Sequence, residues 1–289
     1  MTYCIYFSSL TRGSKAIIII QHIKIMEQLL WKHIQNVRTK SPLVHNITNY
    51  VVMNNTANAL LAIGASPIMA HAHQEVEEMV NICQALVINI GTLDEYWTVS
   101  MIQAAKAANR LNKPWILDPV GAGATSYRDT TLEYLLSFRP TVIRGNASEI
   151  LALAKLNLEK TKGVDSTAQS NDAVQAAQYL HKQFGSTVCI SGETDIIVAE
   201  GEQMRLFNGN ALMTKVTGLG CTATAIIGAF IAVTENVTEA AAAAISLLNI
   251  AGEIVAKNVD GPGSLQMYLL DKLYNLTQTE FDQHIKLSA

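Results

Sequence analysis

The stretch Trp115-Ile116-Leu117-Asp118-Pro119-Val120-Gly121-Ala122-Gly123 carries the fold reading. Its apolar opening reads as a short buried strand, the carboxylate follows at the strand's carboxyl end, and the proline and glycines turn the chain sharply. In open α/β sheets that end is where ligands bind. Working outward, a helix over 50–63 stops at Gly64, and short apolar strands recur at 66–69, 85–90, 115–117, 141–143 and 187–190. Helical patterns fall between them near 74–83, 94–111, 129–138, 147–156 and 171–183. This alternation predicts an α/β protein with a mainly parallel central sheet and helices on both faces. After Ser191-Gly192 the rhythm changes. Residues 195–199 and 203–207 are separated only by Glu200-Gly201-Glu202, too short for a helical crossover, which predicts an antiparallel hairpin at the sheet edge. Helices near 221–234, 238–257 and 264–276 close the chain.

A chain of 289 residues, 49% hydrophobic and 16% charged, can bury the core of one large domain. Its 21 basic and 24 acidic residues leave a net charge of −3 with no block of either sign, which argues against nucleic acid or an anionic membrane as partner. The 4 cysteines, at 4, 83, 189 and 221, lack CxxC spacing and are too sparse for a disulfide scaffold, so a reducing, cytoplasmic setting is expected. The Ala-rich run 239–254 is interrupted by Ser246, Asn249, Gly252 and Glu253 and reads as a packed core helix, short of the roughly 18 apolar residues of a membrane span. Met26 opens an amphipathic pattern with Leu30, Ile34 and Val37 on one face. Residues 1–25 are therefore expected to be an extension, either untranslated or loosely attached, ahead of a single domain over 26–289.

Thr217-Gly218-Leu219-Gly220-Cys221 precedes a small and apolar helical run. Backbone N–H groups and the positive end of a helix dipole would meet at the thiol, suiting an anionic oxygen or making the cysteine acidic enough to act as base or nucleophile. Asp118 either bonds its own turn or helps hold magnesium, a hard cation that takes oxygen ligands. In Ile143-Arg144-Gly145-Asn146-Ala147-Ser148-Glu149, Asn146 and Glu149 have capping-box spacing, while Arg144 can meet a phosphate and Glu149 can lie in reach of the metal. Thr48 or Asn49 is expected to cap the following helix. His45, His71 and His73 lack metal-site spacing and read as loop residues. Met69 is either core or an apolar wall for a ring ligand, and the Ser191 hydroxyl either closes a turn or donates to a phosphate. No GxxxxGK[ST] loop is present.

Collinear blocks SPLVHNITN (41–49), TANALLAIGASPIM (56–69), NIGTL (89–93), ILDPVGAGAT (116–125), IRGNASEI (143–150), TKVTGLGC (214–221) and GPGSLQ (261–266) closely resemble the hydroxyethylthiazole kinase family, which has a ribokinase-like fold. The resemblance spans about 26 to 276. It implies transfer of the γ-phosphoryl group of ATP to the primary alcohol of 4-methyl-5-(2-hydroxyethyl)thiazole in thiamine salvage. By this carry-over Cys221 takes the alcohol proton, where other ribokinase relatives have aspartate. The N–H groups of Gly218, Leu219, Gly220 and Cys221 form an anion hole. Arg144 and Ser191 contact ATP, while Met69, Gly218 and Asn49 contact the thiazole; Asp118 and Glu149 organise Mg2+. Ser191 stands where many relatives have threonine, and Leu219 where a small residue is common. A homotrimer with sites at subunit boundaries is implied too. Rival readings are another ribokinase-like alcohol kinase, an ATP-dependent dehydratase of hydrated nicotinamide cofactors, an acyl transferase using Cys221 covalently, and a non-catalytic thiazole or nucleotide sensor.

Overall fold

The computed structural model describes residues 12–158 and 171–288. Residues 1–11 of the expected extension, with Cys4, lie outside the described residues. The helix expected to open at Met26 starts earlier, as α1 (Arg12–Lys40), and runs unbroken into the domain. From Leu30 its apolar face is buried: Leu30, Ile34 and Val37 all lie in the core.

One sheet of nine strands forms the centre, in the order β2-β1-β3-β4-β5-β6-β7-β8-β9. The parallel part comprises β1 (Leu43–Ile47), β2 (Ser66–Ile68), β3 (Ala85–Asn89), β4 (Trp115–Asp118), β5 (Val142–Asn146) and β6 (Thr187–Ser191). The expected hairpin is β7 (Asp195–Ala199) and β8 (Glu202–Leu206), antiparallel on the β6 side. It is not outermost, because β9 (Leu287–Ser288) adds beyond it from the chain's far end.

β1 departs from the sequence reading, which took this region for a polar approach to a helix. His45 and Asn46 are buried at its centre between two parallel neighbours. His45 Nε2 bonds the Ala70 carbonyl at 2.8 Å, and burial lowers its pKa to about 4, so the imidazole is neutral.

Two apolar layers cover the sheet. On one face α3 (Val76–Ile82), α4 (Glu95–Arg110), α5 (Ser126–Ser137), α6 (Ala147–Leu158) and α7 (Asn171–Phe184) pack on Leu86, Ile88, Leu117 and Ile143. On the other, α1 joins α2 (Met53–Ala62), α8 (Leu219–Ile231), α9 (Val237–Ala256), α10 (Pro262–Asn275) and α11 (Gln278–His284) over Val87, Ile116 and Val142. α9 is long and apolar enough to cross a membrane, but 78% of its apolar window is buried inside the protein. Each fully buried Ile, Leu or Phe of these layers contributes about 1.5–3 kcal/mol. Local signals set the helix starts: Asp94, Thr125, Asn236 and Thr277 accept first-turn N–H groups of α4, α5, α9 and α11. Each such cap stabilises by about 1 kcal/mol.

Candidate active site

Strand parity gathers the polar residues. Val87, Ile116, Val142 and Cys189 belong to the core beneath α8 and α9. Side chains alternate along a strand, so the residue two places further on each strand shares that face. Those residues are Asn89, Asp118, Arg144 and Ser191, at or near the carboxyl ends of β3, β4, β5 and β6. The strand order lines them up in a row under the first turn of α8.

That turn begins at Leu219, two residues before the predicted start, with Gly218 as N-cap at φ 79°. Only glycine enters that region freely. A Cβ on Gly218 would also collide with Cγ1 of Val52. No side chain caps the helix. The opening N–H groups have no intrahelical acceptor, so Leu219, Gly220 and Cys221 present an uncapped donor cluster where the helix dipole is positive.

Beneath it runs a chain of polar contacts. Asn49 Nδ2 lies 3.5 Å from Cys221 Sγ and donates to Asn89 Oδ1 at 2.8 Å. Asn89 Nδ2 donates to Asp118 Oδ2 at 2.7 Å, and the Thr224 hydroxyl donates to the same oxygen at 2.7 Å. Asn49 does not cap α2, whose N-cap is Val52 without a side-chain bond; its Oδ1 instead accepts the Val51 N–H at 3.1 Å. Thr48 is buried and does not cap α2 either. Asp118 is fully buried, and desolvation raises its pKa to about 6 against the opposing pull of Arg144, Thr224 and Asn89. The Cys221 thiol is not acidified: burial first and the Asp118 charge second push it up, with Asn89, Asn49 and Arg144 pulling the other way. Depth beside a carboxylate thus points the shift upward, where the sequence reading offered an acidic thiol.

Glu149 does form the capping box. Glu149 N–H donates to Asn146 Oδ1 at 2.9 Å, and Asn146 N–H donates to Glu149 Oε2 at 2.9 Å. Its other oxygen accepts the Gly121 N–H at 3.0 Å, tying α6 to the turn after β4. That turn is held again by Arg128, whose guanidinium donates to the carbonyls of Ile90 at 2.6 Å, Val120 at 2.8 Å and Gly91 at 2.9 Å.

On the other side of Gly220 a cavity of about 890 Å³ opens. Arg144, Ser191, Leu219 and Gly220 stand at its inner end, and Ala223, Ile245 and Leu248 give it an apolar wall. Its size is in the range of cofactor sites, roughly 300–1,000 Å³. A Cβ on Gly220 would stand 2.7 Å from Arg144 Nη1, so the helix turn and the guanidinium are in close apposition. Arg144 makes no hydrogen bond or ion pair among the described residues, leaving a cation available at the cavity. Ser191 Oγ donates to the Gly145 carbonyl at 3.3 Å.

The opposite rim lies beyond β1 and β2. Half-buried Met69 follows β2, and His71 packs on Trp97 with ring centroids 4.6 Å apart, as does Tyr50 at 4.8 Å. The structure therefore brings Cys221, Asn49, Asp118, Arg144 and the Gly218 turn together; Ser191 and Met69 flank them from opposite sides. Asn89 and Thr224 were not singled out by sequence reading. The available signal for Asn89 was an amide closing an otherwise apolar strand.

This is the ribokinase-like fold. A ribokinase-like superfamily protein from Enterococcus faecalis superposes with a TM-score of 0.60 at 18% identity, over 87% of this chain and 95% of that one, a likeness of fold alone. The chain belongs to the hydroxyethylthiazole kinase family, whose model matches residues 34–279. It is 55% identical over 269 residues to a hydroxyethylthiazole kinase of Syntrophus aciditrophicus, covering 92% of this chain and 99% of that protein. The solved structure of a hydroxyethylthiazole kinase from Pyrococcus horikoshii OT3 is 40% identical, with a TM-score of 0.84 over 90% of this chain and 98% of that one.

Proposed function

We propose that the protein transfers the γ-phosphoryl group of ATP to the primary alcohol of 4-methyl-5-(2-hydroxyethyl)thiazole, with Cys221 as the base. The observation that carries this reading is the uncapped first turn of α8, with a thiol on one side and, across Gly220, a guanidinium without a hydrogen-bond partner among the described residues at the inner end of the cavity. Phosphoryl transfer needs donors and cations aimed at moving negative charge more than covalent chemistry. In this reading the nucleotide occupies the cavity, with Arg144 and Ser191 on its phosphates. The N–H groups of Gly218, Leu219, Gly220 and Cys221 receive the transferring oxygens. Met69, Asn49 and Gly218 hold the thiazole so that its hydroxyl faces Cys221 Sγ. The sulfur, having first lost its own proton to solvent, takes the hydroxyl proton as thiolate while the alcohol oxygen bonds to phosphorus and the bond to the leaving ADP breaks. A thiol pushed above its ordinary pKa is a stronger base once ionised, which narrows the gap to the alcohol.

Asp118 and Glu149 fit a magnesium ion held largely by water and phosphate. They offer hard oxygens and interact electrostatically, while no group of three acidic, His or Cys side chains among the described residues forms a protein cage. Magnesium bound there supplies positive charge to the phosphates. We further assign a homotrimer with sites at subunit boundaries. Exposed Tyr50 and Val51 beside Asn49, and exposed Leu61 on α2, support that reading, which sedimentation equilibrium tests. A cytoplasmic location agrees with ATP as substrate and with the free Cys83, Cys189 and Cys221.

The test is ADP release by the purified protein with the thiazole alcohol, set beside a pyrimidine alcohol, sugars and a hydrated nicotinamide cofactor. ADP release that rises only with the thiazole is expected. Release with another acceptor, or nucleotide and thiazole binding without ADP, would replace this reading by a sister kinase, a dehydratase or a sensor.

A further inference from the structure

Asn89 is 1% exposed, closes an otherwise apolar strand and does not line the cavity. A leucine of similar size would be easier to bury there, since an amide under the core repays its desolvation only through complete hydrogen bonding. Its oxygen accepts two bonds, its nitrogen donates to Asp118, and the run has one direction. The Gly91 N–H donates to Asn89 Oδ1 at 2.9 Å, and a backbone N–H can only donate, so the oxygen faces Gly91 and Nδ2 must face Asp118. The Val51 N–H fixes Asn49 in the same way, leaving Asn49 Nδ2 to bridge Asn89 Oδ1 and Cys221 Sγ. Neither amide can turn over without stranding a backbone donor. The sulfur therefore stands at the accepting end of the run, and a thiol hydrogen has to point away from Asn49, toward the open side.

We propose that Asn89 is a positioning residue for the phosphoryl transfer: it holds the Asn49 amide on the Cys221 sulfur, and its own amide, of fixed polarity, stands between that sulfur and the Asp118 carboxylate. The inference rests on the kinase reading. Asn89 touches no substrate in it and acts on the sulfur through Asn49 and through its own amide. The sulfur then keeps a fixed place facing the position proposed for the alcohol.

The experiment uses the full chain with Asn89→Leu, and with Asn89→Asp, which keeps the accepting end but turns the donating end into a second carboxylate facing Asp118. Urea unfolding, the KM for ATP, kcat with the thiazole alcohol, and the rate of Cys221 alkylation by iodoacetamide at pH 8, followed on its own peptide, are measured. The expected result is a folded protein with the ATP KM within about twofold, kcat lowered about tenfold or more, and Cys221 alkylation slowed about fivefold as thiolate support is lost. A folded variant with kcat and alkylation both within about twofold of wild type overturns the proposal. So does a parallel fall of stability, KM and kcat with unchanged alkylation, which marks a purely structural residue. If the wild type shows no thiazole-dependent ADP release, the kinase reading fails, and the substrate-free alkylation rates still decide whether Asn89 controls the sulfur.

Discussion

Gly218→Ala is the sharpest test of how the α8 turn is built. The residue sits at φ 79°, where an L side chain loses about 1–2 kcal/mol against steric repulsion. Its new Cβ would also run into Cγ1 of Val52, which is buried at the start of α2 and has no open space to retreat into. Overpacking of this kind destabilises by about 1–3 kcal/mol. Together the loss should be about 2–5 kcal/mol if the backbone holds its place. If it yields instead, the Leu219–Cys221 donors move, and losing one aligned donor lowers turnover about 100-fold or more. The two routes are separated by a double-mutant cycle with Val52→Ala, read by urea unfolding and by ADP release. The second substitution removes the obstructing methyl, so the double variant should recover about 1–3 kcal/mol relative to additivity, leaving the backbone strain. Additive stabilities, or a Gly218→Ala protein equal to wild type in both stability and turnover, would refute the close packing of α2 on the turn as the reason for glycine.

Cys221→Ala should lower kcat about 100-fold or more while the KM for ATP stays put, because general-base catalysis is lost and the cavity is untouched; Cys221→Asp should retain activity, and steady-state kinetics on both variants checks this. Asp118 has its pKa raised from 3.8 to about 6, so the folded protein holds a proton there that the unfolded chain releases. Its contribution to stability therefore falls as pH rises from about 4 to about 6, by about 3 kcal/mol in all. Asp118→Asn should remove that slope in metal-free buffer, and urea unfolding at pH 4 and pH 7 would show a pH-independent difference from wild type if the assignment is wrong. Arg128→Leu strands the carbonyls of Ile90, Gly91 and Val120. It should destabilise by about 2–4 kcal/mol in a denaturant melt, since bonds from a charged donor are worth about 1.5–3 kcal/mol each and are not additive.

The parallel sheet and its hairpin were legible because most strands are short, apolar and bounded by turn residues, and because Glu200-Gly201-Glu202 leaves no room for a crossover. β1 was not, since its buried centre reads His45-Asn46, and only its neighbours in space reveal why a strand tolerates them. His45 Nε2 meets a carbonyl twenty-five residues away in sequence, while His45 Nδ1 and the Asn46 amide are buried without a hydrogen-bond partner. β9 was equally hidden, being two residues that pair only because β8 needs a partner. The anion-hole segment stood out from its glycines and from the run of small residues behind it. The thiol's ionisation did not, because it depends on the depth of the site and on Asp118, which is remote in sequence. Asn89 escaped notice for the same reason: its side-chain partners come from the loop after β1 and the end of β4.

The opening turn of α8 works as a party wall. The β1, α2 and β2 segment over residues 43–69 furnishes one room, and the strands around β6 and β7 with α9 furnish the other. Under the proposed reaction, drift in the first room retunes which alcohol is admitted while leaving the nucleotide's seat undisturbed. A change at Gly220 is felt on both sides at once, because a Cβ there would press on the Arg144 guanidinium one residue from the thiol.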